Sequence, residues 1–202
     1  MLPIVTCTVT GKCLPVLETS VRTYCPGADF LVYKTGAPTG GESLDIAFKD
    51  SFEKYDEIIF ASDDVVFTPY TYDFLLEDVE NLKKIHGELL GAVGAKSDCA
   101  RDTQNIKFTE KDLILKVNSV SPILMWLSKK AYEKVNFPHF EWFSDDLFCM
   151  DLMNAGFTHY VSRSYVHHVG SQTIGDNSYR MYLESIKWME ENRPDVVNFF
   201  KR

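Results

Sequence analysis

The sequence predicts an α/β fold in a single domain: a mostly parallel or mixed sheet flanked by helices. Two observations predict it. From Pro3 to about Ala95, apolar β-branched runs alternate with amphipathic helical patterns, the order expected of parallel strands joined by crossover helices. Within that half, Ile58-Ile59-Phe60-Ala61 is a continuous apolar run leading straight into Asp63-Asp64, as for a central strand buried on both faces. After Ala95 the alternation weakens, so the second half is expected to make the sheet mixed. The chain has 202 residues, 45% of them hydrophobic and 13% aromatic, enough for one substantial core.

The elements follow in order. Pro3 to Val9 reads as the first strand and Leu14 to Tyr24 as a helix whose apolar pattern is Val16/Leu17, Val21 and Tyr24, ended by Pro26-Gly27. Phe30 to Tyr33 is the second strand. Thr35 to Gly41 is rich in Gly and Pro and reads as loop. Ser43 to Tyr55 is a helix that buries Leu44, Ala47, Phe48 and Phe52. The central strand follows, and Thr68-Pro69 stops the extended segment after it. Tyr70 to His86 is a strong amphipathic helix and Leu89 to Ala95 a strand of small residues. Ser97 to Asp112 is polar and irregular. Leu113 to Val117 reads as an edge strand, Ser121 to Leu127 as an apolar strand and Lys129 to Val135 as a short helix. An aromatic loop, Phe137 to Ser144, precedes a helix over Asp145 to Ala155 that Gly156 ends. Tyr160 to Val169 is a strand, Gly170 to Asn177 a polar loop expected to act as a lid, and Ser178 to Glu191 the last long helix.

Composition narrows the function classes. A formal net charge of −8 argues against nucleic acid or an anionic membrane surface as the main partner. No apolar run approaches the length of a membrane-spanning helix, and the N-terminus carries no signal-peptide pattern, so a cytoplasmic location is expected. Five cysteines without a CxxC pair suggest neither a disulfide framework nor a thiolate zinc site. Gly11-Lys12 lacks the rest of a phosphate-binding P-loop.

Three clusters could carry chemistry. In an open α/β sheet ligands bind at the carboxyl ends of strands, where Asp63 and Asp64 would lie. The pair reads either as a solvated turn or as a site for a hard divalent cation that relieves carboxylate repulsion. Asp145 and Asp146 open a helix. They read either as first-turn acids favoured by the helix dipole, with Ser144 as N-cap, or as catalytic groups. His167-His168 closes a strand, as structural residues or as ligands.

In this order and spacing the clusters resemble the family 2 glycosyltransferases of the GT-A fold. Phe60 to Pro69 resembles that family's metal-binding DxD segment in an x-D-D-x-x-x-x-P form. Ser144-Asp145-Asp146 through Ala155-Gly156-Phe157 is similar to its ED…AG(Y/F) segment, Pro122 to Ala131 to its apolar strand and basic helix start, and His168-Val169-Gly170-Ser171 to its closing H-x-G-S. The resemblance spans about Pro3 to Ser171. It implies an inverting, metal-dependent enzyme that moves a sugar from a nucleotide-diphosphate donor, UDP favoured, to an acceptor hydroxyl on a glycan or another molecule.

The resemblance also implies roles. Asp64 and His168 would hold Mn²⁺ or Mg²⁺, with His167 the less favoured of the pair, and Asp63 would hold the ribose or a metal-bound water. Thr6, Thr8, Lys34 and Asp63 would face the nucleotide. Asp145 would be the general base, with Asp146 in reserve. Trp142, Phe143 and Trp126 would face the sugar or acceptor. The chain departs from the pattern in three places. Tyr33-Lys34-Thr35-Gly36 stands where a base-reading acid is usual, the loop from Gly36 to Glu42 is short, and Ala61 stands where a full D-x-D has its first Asp. The expected organisation is a catalytic domain over 1–177, its nucleotide-binding half reaching about 96 and its acceptor-binding half following. A C-terminal helical segment over 178–202 is expected to be able to pair copies of the chain. A degenerate GT-A domain that binds a nucleotide or glycan without turnover is the alternative. A nucleotidyltransferase is less favoured, because its Gly-rich basic loop is missing.

Overall fold

The computed structural model describes residues 1–170 and 177–201. In chain order the elements are β1 (Ile4–Thr8), α1 (Leu14–Tyr24), β2 (Phe30–Lys34), α2 (Gly40–Phe52), β3 (Glu57–Ala61), β4 (Val65–Phe67) and α3 (Thr71–His86). They continue with β5 (Leu90–Ser97), β6 (Leu115–Val117), β7 (Leu124–Ser128), α4 (Lys129–Tyr132), α5 (Ser144–Asn154), β8 (Thr158–His168) and α6 (Ser178–Asn192). The eight strands form one sheet in the order β2-β1-β3-β7-β5-β8-β4, with β6 also pairing β8. β1, β2, β3, β5 and β8 run one way; β4, β6 and β7 run the other. The sheet is mixed and mostly parallel, as the sequence predicts, and its antiparallel members all come from short or late strands.

Successive side chains on a strand point to opposite faces, and the strands use both. Ile4 and Ile59 join Leu17 and Val21 of α1 and Leu75, Val79 and Leu82 of α3 in one core layer. Val5 and Phe60 join Leu44 and Phe48 of α2, Ala131 of α4 and Phe148 and Leu152 of α5 in the other. A third, smaller cluster seats α6 through Ile186 and Met189 on Phe140 and Leu147. Tyr179 and Leu183 of α6 remain exposed.

Besides α3, which starts at Thr71 rather than Tyr70, two helix starts differ from expectation. α2 begins at Gly40, not Ser43, because Thr39 is extended and its hydroxyl accepts from Glu42 N at 3.1 Å. Gly41 is required by close approach: a Cβ there would lie 2.3 Å from Pro138 O. Ser144 is the first helical residue of α5 rather than its cap. That place is taken by Phe143, which sits left-handed at φ 74° with no side-chain cap. The C-terminus of α5 ends as expected. Gly156 has φ 94°, and Gly156 N and Phe157 N donate to Met153 O and Leu152 O, a Schellman pattern.

The polar stretch after β5 is ordered by side chains rather than by regular structure. The Gln104 amide donates to Ala95 O and accepts from Ser121 N, and Lys96 Nζ, 1% exposed as a residue, donates to the carbonyls of Glu110, Lys111 and Leu113. The closing motif residue Ser171 and most of the expected lid lie outside the described residues.

Candidate functional site

Register brings the first and third clusters together. β3 ends at Ala61, the chain turns through Ser62-Asp63-Asp64, and β4 returns antiparallel to β8 with Val65 opposite His168. Asp64 O accepts from Val169 N at 3.0 Å, which fastens the end of β8 to the Asp-Asp turn. His168 Nε2 lies 3.1 Å from Asp64 Oδ1. The other ring nitrogen, Nδ1, is 2.6 Å from Cys99 O. A carbonyl only accepts, so Nδ1 carries a proton and Nε2 is directed at Asp64. His167 points elsewhere, pairing with Asp98 at 2.6 Å with its side chain half exposed.

Asp63 and Asp64 have different environments. Thr8 Oγ1 donates to Asp63 Oδ2 at 2.5 Å. Burial, with help from neighbouring Asp64, raises the Asp63 pKa above the ordinary carboxylate value despite that bond. Burial also pushes Asp64 upward, but the bond and charge of His168, with Ser62 Oγ at 2.7 Å, outweigh it and leave Asp64 lowered. Counted back from Asp64, the first position of a D-x-D triplet is Ser62. Ala61 is a fully buried core residue.

These groups line a cleft of about 510 Å³ closed on one side by α6, which contributes Arg180 and Glu184. Among the described residues four carboxylates (Asp63, Asp64, Glu141 and Glu184) face one guanidinium and the His168 imidazole there. An anionic ligand would be repelled without a cation. Among the described residues no group of three His, Cys, Asp or Glu side chains could hold a metal. Asp64 and His168 are two adjacent groups, a carboxylate and an imidazole that would have to give up its Nε2 proton, that could hold a divalent cation completed by ligand and water oxygens.

A second cavity of about 700 Å³ adjoins the first, sharing Gly40, Leu44, Pro122, Ile123, Glu141 and His168. Asp145 and Asp146 lie in it, both held by Arg101. The guanidinium donates to Asp145 Oδ2 at 2.5 Å, to Asp146 Oδ1, to Ser119 Oγ at 2.6 Å and to Ser121 Oγ at 2.6 Å. Ser119 Oγ also donates to Asp146 Oδ1 at 2.6 Å. Burial raises the Asp145 pKa to about 6, with Arg101 pulling down and Asp146 pushing up. The upward direction brings the carboxyl closer to the range useful for a base, while Arg101 favours its ionised form.

The structure therefore brings Asp63, Asp64, His168, Asp145 and Asp146 around one continuous opening, with Thr8 joined through Asp63. Trp142 and Phe143 line the second cavity, and Phe143 also packs on Tyr182 and Phe200. Three expected site residues fall elsewhere. Thr6 is fully buried within β1 and does not line the cleft. Lys34 is exposed at the end of β2, also off the cleft. Trp126 is a core residue of β7, 2% exposed, whose Nε1 donates to Glu57 at the opposite end of β3 from the carboxylates. Its apolar ring is consumed by the interior, so it cannot face a sugar. Arg101, Glu141 and Arg180 were not legible as site residues. Arg101 and Glu141 are single charges in irregular segments, Arg180 is one of several charges on a predicted helix, and Arg101 meets its partners 44 and 45 residues away.

No protein-family model and no curated protein matches the chain by sequence. Solved structures do match in architecture. A197 from STIV shares 16% identity at a TM-score of 0.57, over 85% of this chain and 87% of that one. Glucosyl-3-phosphoglycerate synthase from Mycobacterium tuberculosis, in complex with Mg²⁺ and UDP, shares 10% at a TM-score of 0.60, over 94% and 78%. S. aureus TarS 1-349, in complex with UDP-GlcNAc, shares 12% at a TM-score of 0.52, over 92% of this chain but 65% of that one, so this chain spans less than two thirds of TarS 1-349. With the strand order and the carboxylates at the end of β3, these likenesses identify the architecture of this chain as the GT-A fold.

Proposed function

We propose that this chain is an inverting, metal-dependent glycosyltransferase that moves a sugar from a nucleotide-diphosphate sugar, UDP favoured, to an acceptor hydroxyl. One observation carries the reading. The Asp64–His168 pair and the Asp145–Arg101 pair lie in two adjoining cavities that share a wall, as a donor compartment and an acceptor compartment must. Solved neighbours in complex with UDP, UDP-GlcNAc and Mg²⁺ support the donor class.

The chain's own groups have definable tasks in this reading. Asp64 and the Nε2 of His168 would hold the divalent cation, with Cys99 O keeping the proton on Nδ1 so that Nε2 could ligate. Bound there, the cation would supply positive charge to the departing diphosphate. Asp63, oriented by Thr8, faces the nucleotide side. Asp145 takes the proton from the acceptor hydroxyl as that oxygen attacks the anomeric carbon. A base across from the leaving group gives one displacement and inversion. Arg101 holds Asp145 in place and favours its ionised form.

The same clamp favours a second reading, a GT-A domain that binds without turnover, since a carboxylate engaged by a guanidinium is a weaker base. A thermal-shift screen of nucleotide sugars with and without Mn²⁺, followed by an assay of nucleotide release, separates the two. The transferase reading expects a rise of a few degrees that needs Mn²⁺, together with nucleotide release. Binding without any release supports the second reading, and no binding contradicts both.

A further inference from the structure

We propose that the acceptor is an uncharged sugar, not a phosphorylated or carboxylated one. This deepens the proposed function and rests on the assignment of the second cavity to the acceptor. Among the described residues that line it, three carboxylates (Glu141, Asp145 and Asp146) face one guanidinium, Arg101, and the His168 imidazole on the wall shared with the donor cleft, so acids outnumber basic side chains three to two and the wall is net negative even with His168 charged. Arg101 is already spent: its guanidinium donates to both aspartates and to Ser119 and Ser121. It has no fork left for a phosphate or carboxylate. The cavity's other cationic neighbour, Arg180, lines only the donor cleft.

The rest of the wall suits a neutral sugar. Trp142, Phe143 and Phe200 form a continuous aromatic series, with ring centroids 6.3 Å apart for the first pair and 5.2 Å for the second, and Phe199 is 80% exposed beside them. Sugar rings present C–H faces to aromatic surfaces and hydroxyl donors to carboxylates. This cavity offers both an aromatic surface and an excess of acceptors. An anionic acceptor would meet like charge in a partly enclosed space, where repulsion is screened less than at an open surface.

The test uses the full chain with UDP and Mn²⁺ and reads binding by saturation-transfer NMR and titration. The probes are the methyl glycosides of glucose, galactose and N-acetylglucosamine and the 6-phosphates of the same glycosides. At least one neutral glycoside is expected to bind about tenfold or more tightly than its 6-phosphate at low salt, with the gap narrowing as salt rises. Phe199→Arg, at an exposed position that does not threaten the fold, is expected to shrink that gap. The proposal is overturned if the 6-phosphates bind as tightly as the neutral forms or more so, or if no neutral glycoside binds a protein that does bind UDP. A chain that fails to bind UDP at all contradicts the donor reading instead, and glycoside preference then stands or falls on its own titrations.

Discussion

At the scale of single residues, neighbours in the sequence have different partners in the structure. His168 faces Asp64 while His167 faces Asp98 with its side chain half exposed. His168→Ala is expected to abolish the Mn²⁺-dependent melting shift by a nucleotide sugar, and His167→Ala to leave most of it. The reverse ranking would show that the wrong histidine was chosen. Asp145→Asn is expected to lower the single-turnover transfer rate by roughly a hundredfold or more with donor affinity near normal. Asp146→Asn is expected to act mainly on stability, by about 2 kcal/mol, since it takes charge-assisted bonds from Arg101 and accepts from Ser119. Equal, mild effects on rate would remove Asp145 from the mechanism. The pH profile adds an independent readout. The folded-state pKa of Asp145 is raised from 3.8 to about 6, so in that window the folded form binds this proton more tightly than the unfolded chain does. Acidification through pH 6 thus favours the fold at this group while removing the base. The rate is expected to fall below about pH 6 with the melting temperature of Asp145→Asn losing nothing relative to wild type across the window. Arg101→Lys keeps the charge but loses the fork, so the acid limb of the profile is expected to move upward.

At the scale of elements, the site depends on where short segments are pinned. Gly41 lets Pro138 and Phe140 approach the start of α2, and Glu141 then reaches Gly40 N. Gly41→Ala is expected to cost roughly 1–3 kcal/mol in thermal or denaturant melts, because its Cβ must push backbone aside. A variant as stable as wild type would show that this contact is not needed. Elements with strong periodicity were legible: α1 runs over the predicted residues, and α3 differs by one. The starts of α2 and α5 were not, because tertiary contacts to the 137–144 loop decide them and no local signal reports those contacts. The same holds for Trp126. Its sequence neighbourhood is an apolar strand, and only the sheet order, which places β7 between β3 and β5, makes that strand central and its indole a core group.

At the scale of the whole molecule, the chain order of carboxylate turn, helix-opening acids and closing histidine was legible because the first follows a strand end, the second opens a helix and the third closes a strand of the same sheet. Register then carried them to one opening. The partners of those groups were not legible, since Arg101 joins the site from an irregular segment and Arg180 from α6. Charge ties the scales together. The molecule carries −8 overall, and among the described residues the proposed donor cleft gathers four carboxylates around one guanidinium and one imidazole, so a diphosphate there is expected to need a cation. The measurement that tests this central claim most directly is UDP release from UDP-sugars by wild type and Asp64→Ala, each with Mn²⁺ and with chelator. The account expects release by wild type that stops on chelation and is absent in Asp64→Ala at unchanged fold. Near-normal release by Asp64→Ala, or release by wild type that chelation leaves intact, would contradict it.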